Sequence, residues 1–101
     1  MSRNIFGGES MLEWFEAQGD RKFFYLNFCG CALHQYFKAQ GVPVSKVGGY
    51  GWIDTNRDLH PLPKDFKEAM DKTMKEHFSW TSMYSFKDLA AEMRKVVYGT
   101  H

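Results

Sequence analysis

The sequence predicts an α+β fold: about four short helices packed with a small antiparallel sheet, a hairpin or three strands, in one compact domain over residues 1–101. Three observations carry that prediction. The segments Ser10-Met11-Leu12-Glu13 and Ser85-Phe86-Lys87-Asp88 read as helix starts, each opening a run of apolar residues at helical spacing. Two β-prone runs, Tyr50 to Asp54 and Leu59 to Leu62, flank the turn residues Thr55, Asn56 and Arg57. A length of 101 residues with 44% hydrophobic side chains supports one core and not two.

The elements follow in order. In the first helix Ser10 caps and Glu13 reaches back; Met11, Leu12 and Phe15 share a face, Trp14 lies at its margin, and Gly19 ends it. Asp20, Arg21 and Lys22 form a polar break. Phe23 to Phe28 is strongly apolar and fits a buried strand or the lead-in to the next helix, since so short a run has no deciding period. The second helix spans Cys31 to Gln40, with Leu33, Tyr36 and Phe37 recurring on one face and Gly41 at the C′ position. Val42, Val44 and Val47 then read as a strand, which Pro43 assigns to a sheet edge. Gly48, Gly49 and Gly51 permit sharp bending around Tyr50 and Trp52, ahead of the hairpin.

Pro63 suits the first turn of a third helix, whose apolar side carries Phe66, Ala69, Met70, Thr73, Met74 and His77. Its other side pairs Glu68 with Lys72 and Asp71 with Lys75, each acid four residues before its base. Ser79 to Tyr84 reads as a loop. Ser85 then caps a fourth helix, with Asp88 at N3 and Tyr84 placed to staple onto Leu89. Its buried stripe is Phe86, Leu89, Ala90, Met93 and Val97; Arg94 and Lys95 suit the C-terminal dipole, and Gly99 stops it.

Composition narrows the function classes. Thirteen basic against twelve acidic side chains leave a formal charge of +1, which is neither a nucleic-acid binder's excess nor a DNA mimic's acidity. No apolar run approaches the roughly 20 residues that span a bilayer. Met1 to Gly8 is polar and Gly-rich rather than leader-like, so the expectation is a cytoplasmic protein without a membrane partner. Cys29 and Cys31 are too close to bridge each other, and a reduced pair follows. The outlier is aromatic content: 17% Phe, Trp and Tyr, with six methionines, exceeds what so small a core hides. Rings on predicted turns and loops are therefore the candidate protein-binding surface, namely Tyr50, Trp52, Trp80, Met83 and Tyr84.

Other chemistries are less complete. Cys29, Cys31 and His34 form C-x-C-x2-H, the start of a zinc knuckle, but the second knuckle is missing and only His60 and His77 remain at a distance. No metal or cofactor is assigned. Lys72, Lys75, Arg94 and Lys95 on the third and fourth helices are the alternative, nucleic-acid-binding set; acids interleave the third helix's lysines as on a solvated face. The order cysteine, helix, glycine, strand and Trp52 resembles transglutaminase-like and papain-like cores. That resemblance implies a thiol nucleophile at the helix start and a histidine just before the tryptophan. Gly51 stands where that histidine belongs, while Asp58 and His60 alternate along the far hairpin strand. A cysteine-dependent hydrolase or transferase is thus the third reading.

Residues Cys31 to Gly41 (CALHQYFKAQG), then Val47-Gly48-Gly49, Trp52 and the late Phe86-Lys87-Asp88-Leu89-Ala90, resemble small proteins encoded by bacteriophages and prophages. The resemblance implies a non-enzymatic inhibitor or accessory protein that binds a host or defence-complex subunit, as anti-CRISPR proteins do. It carries over no individual site residue.

Overall fold

Apolar spacing becomes four helices in the computed structural model, which describes residues 4–25, 31–48 and 51–99. They are α1 (Gly8–Ala17), α2 (Ala32–Ala39), α3 (Lys64–Glu76) and α4 (Phe86–Tyr98). Five short strands join them: β1 (Lys22–Phe24), β2 (Val44–Val47), β3 (Trp52–Asp54), β4 (Leu59–His60) and β5 (Met83–Ser85). The α+β architecture is as the sequence predicts. Its strands form two antiparallel sheets, β2-β3-β4 and β1-β5.

Helix ends show which local signals won. Ser85 accepts from the Asp88 amide at 3.1 Å, and Gly99 closes α4 at φ 65°, so both predicted punctuation marks act as expected. Gly41 follows α2 at φ 77° in the same way. The first helix departs from expectation. It begins at Gly8 with Gly7 as its uncharged cap, which places Ser10 inside the first turn rather than at the N-cap. The cause is packing: a Cβ at Gly8 would run into the Asp65 carboxylate and a Val97 methyl, so α1 starts where only glycine lets α3 and α4 approach. His77 likewise is the C-cap of α3 and not part of its apolar face.

The β1-β5 ladder is the element the sequence does not announce. It pairs Phe23 with Tyr84 and Phe24 with Met83, so the end of the predicted Ser79–Tyr84 loop is a strand. Phe23 belongs to a strand as well; Leu26 to Phe28 lie outside the described residues. Side chains alternate, and Phe23 and Tyr84 face inward while Phe24 and Met83 face out. In the other sheet, β2 carries an irregularity between Val44 and Lys46, and β3 pairs Trp52 with His60 and Ile53 with Leu59.

One ring organises the interior. Phe15 on α1 is fully buried and meets Tyr36 of α2 at 5.9 Å, Phe66 of α3 at 6.2 Å and Phe86 of α4 at 5.9 Å between centroids. Phe23 reaches the same cluster through Phe86 at 5.0 Å, which fastens the two-stranded ladder to the helices. Replacing Phe15 by Ala removes a contact with every helix and should cost about 3–5 kcal/mol. A urea-unfolding midpoint within error of the wild type would contradict this account of the core.

Candidate functional site

The segment from His77 to Ser82 carries the most exposed aromatic surface among the described residues. Trp80 is 91% and Phe78 65% exposed, and the two rings meet edge to face at 5.1 Å. Local hydrogen bonds hold this turn without burying it. Ser79 Oγ lies 3.0 Å from Thr81 Oγ1 and accepts from the Thr81 amide, while the Ser79 carbonyl accepts from the Ser82 amide at 3.3 Å. Ser82 takes φ 59°, a costly conformation for a residue with a side chain. That twist turns its carbonyl onto the Tyr25 amide at 2.9 Å and seats the loop against the end of β1.

The loop's other end is fastened electrostatically. His77 Nε2 lies 3.3 Å from Glu92 Oε2 and His77 Nδ1 lies 3.7 Å from Asp88 Oδ2. Lys95 Nζ donates to the same Glu92 oxygen at 3.4 Å. Glu92 is buried, so its partners matter more than those of a surface carboxylate. The sequence reading passed over this residue, because a glutamate beside a helix's apolar stripe looks like solvent-facing charge.

Of the five predicted binding residues, Trp80 and Met83 are exposed, Met83 at 39%. Trp52 and Tyr84 are buried at 6% each, contrary to expectation. Tyr84 turns inward because β5 alternates against β1, pairing its ring with Phe23. Trp52 is sandwiched: His60 stacks on it at 4.2 Å, Phe37 packs at 4.8 Å, and Phe6 stacks at 6.2 Å. Tyr50 lies outside the described residues. Four exposed rings among the described residues were missed: Phe6, Phe78, Tyr98, and Phe24, which stands across the ladder from Met83. Only strand alternation on an unrecognised strand would have shown that Phe24 and Met83 share an outer face.

The alternative basic set does not assemble into a free cationic track. Arg94 donates to Glu16 Oε2 at 2.7 Å and lies over the Tyr98 ring, and that carboxylate raises the guanidinium's pKa further. Lys95 is committed to Glu92. Lys72 and Lys75 are exposed on α3, among the acids the sequence placed beside them.

Cys31 is the N-cap of α2, its Sγ accepting from the His34 amide at 3.4 Å. Cys29 lies outside the described residues, and among those described no group of three or more His, Cys, Asp or Glu side chains is placed to hold a metal ion. The His34 ring is buried and its Nδ1 has no hydrogen-bond partner. Burial first, and Lys38 second, push its pKa below the ordinary imidazole value against a carbonyl contact from Ser45.

A histidine–carboxylate pair does form, at the hairpin. His60 Nε2 lies 2.8 Å from Asp54 Oδ2, while Asp54 Oδ1 accepts from the Asn56 and Asp58 amides at 2.8 and 3.0 Å. The bond to His60, then those backbone donors, hold the Asp54 carboxyl below its usual pKa. Asp58 therefore contributes its backbone, not the carboxylate partner its spacing suggested. At Gly51, the position of the histidine in the thiol-enzyme pattern, any Cβ would collide with the His60 carbonyl oxygen. The hairpin geometry leaves no room there for a catalytic side chain. No family model, curated protein or solved structure matches the chain.

Two outcomes follow. Gly51→Ala should destabilise by about 1–3 kcal/mol, the ordinary cost of overpacking, with an unchanged melting temperature arguing against the close approach. Acid should act in two windows. His34 is neutral in the fold with a lowered pKa, so stability is full above the unfolded value of about 6.5 and falls as pH drops below it. Asp54 is charged with a lowered pKa, so its contribution holds above the ordinary carboxylate range and is lost as pH falls through its depressed value. Urea midpoints measured against pH should lose the first slope in His34→Leu and soften in the second in Asp54→Asn.

Proposed function

We propose that this chain is a small non-enzymatic protein-binding module whose anchor is the Phe78–Trp80 pair. The observation that carries the reading is Trp80, 91% exposed on a turn that its own hydrogen bonds pre-shape. A pre-shaped loop loses little conformational freedom on docking, which leaves more of the ring burial as net affinity. Trp is also the residue type that most often concentrates binding energy at the centre of an interface. Phe24 and Met83, on the outer face of the strands this loop enters, supply further apolar contact, with Lys22 on the same face as a polar neighbour. The mechanism is steric occupancy: the two rings fill a pocket on a larger partner and exclude its other ligands.

The likeness of the α2 segment to phage-encoded proteins makes a bacterial host or defence-complex subunit the first partner to try. Recombinant protein with the loop intact should retain one stoichiometric partner from bacterial lysate, and purified partner should then bind directly. Trp80→Ala should weaken that direct binding by about 30-fold or more, the level of an interface hot spot. Its folding stability should stay within about 0.5 kcal/mol of the parent, because the ring contributes little to the folded chain. Equal affinity of parent and variant for the purified partner would remove the loop from the interface.

A further inference from the structure

A cleft of about 190 Å³ opens between the start of α2, the end of β2 and the middle of α3. Its walls are apolar, formed by Ala32, Val47, Leu62, Phe66 and Met70. This is close to the size that admits one six-membered ring, since an apolar cavity of about 150 Å³ takes benzene. Sites with apolar walls and a few placed polar groups are the usual form of small-molecule pockets.

The mouth has a distinct electrical character. Lys67 Nζ donates to Asp71 Oδ2 at 3.3 Å, so its one cation and one anion offset each other. An ionic guest must compete with that exposed pair for either partner and give up its own hydration. Tyr25 also lines the opening; burial first, then the Asp71 charge and the Cys31 thiol, push its hydroxyl pKa above the ordinary phenol value. The hydroxyl therefore stays protonated and serves as a neutral donor and acceptor.

We propose that this cleft is a binding site for a neutral single-ring organic molecule, aromatic or cycloaliphatic, bearing one hydroxyl or carbonyl group that hydrogen-bonds with Tyr25. The ring lies against Phe66 and Met70, and its polar substituent points to the mouth. Its volume matches one ring, and loss of hydration against the apolar walls disfavours carboxylates and amines. The cleft shares Tyr25 with the seat of the exposed aromatic loop, through side chain and backbone respectively, and either assignment stands without the other.

Phenol is the probe, read by methionine-methyl NMR on the whole chain. Met70 lies on the cleft wall, Met83 on the exposed ladder and Met93 in the core. Phenol should shift the Met70 methyl saturably, with a Kd of about 1 mM for a ligand of so few heavy atoms. Met83 and Met93 should stay in place. Benzoate should bind at least about tenfold more weakly, and Tyr25→Phe should weaken phenol while leaving toluene unchanged. Leu62→Trp should fill the cleft and erase the phenol shift without lowering the urea midpoint. An unmoved Met70 up to about 20 mM phenol, well past the expected range, overturns the proposal. So does a linear shift shared with Met83, which reports general stickiness, or equal binding of benzoate. The wild-type comparison of phenol with benzoate decides the matter even if a variant misfolds.

Discussion

The structure depends on Phe15, a single ring in contact with the rings of the three other helices. Edge-to-face and tilted contacts to Tyr36, Phe66 and Phe86 fix distances between elements that share little backbone hydrogen bonding. The two sheets are too small to stabilise themselves, since two- and three-stranded ladders of this length need a packed face. They acquire one from the same cluster. Phe23 attaches β1-β5 through Phe86, and Trp52 attaches β2-β3-β4 through Phe37. Rings, not sheet ladders, connect the parts.

In a core built this way most buried polar side chains have a specific answer, His34 Nδ1 being the exception among the described residues. Thr73 is fully buried and returns its hydroxyl to the Ala69 carbonyl at 2.8 Å within its own helix. Glu92 is answered by His77 and Lys95, and this cluster joins the end of α3 to α4 just before the exposed loop. At the hairpin, Asp54 gathers two backbone amides and His60, so the turn is closed by one carboxylate while Arg57 adopts φ 69°. The His77 and Asp54 devices sit at element boundaries. That is where helix ends and turns leave backbone groups in need of partners.

Much of this was legible in the sequence because it was local. The caps at Ser85 and Gly99, the glycine after α2, the hairpin around Asn56 and the buried stripes of all four helices depend on residues within a few positions of one another. What failed was non-local. The β1-β5 ladder joins segments at opposite ends of the chain, and three-residue strands have no period of their own, so Tyr84 was read as an exposed loop ring. The capping box at Ser10 was locally persuasive, yet the contact of Gly8 with Asp65 and Val97 extended the helix past it. Trp52 was read as a surface ring because glycines surround it. In fact Gly51 is there to let the β3 and β4 backbones close over the tryptophan.

The premise that so many rings overflow the interior survives in altered form. Most aromatic side chains are absorbed, including two expected outside, and the excess lies on Phe78, Trp80 and the Phe24–Met83 face, with Phe6 and Tyr98 exposed elsewhere. A ring that is nine-tenths exposed does little for the folded state, so stability gives no reason for Trp80. Isolated exposed hydrophobes are common and need no explanation. Two rings in mutual contact are different, particularly on a turn that accepts a left-handed serine and is tied down at both ends. Local order without burial is unrewarded by folding alone. The contact with a second molecule proposed above would account for both the order and the exposure.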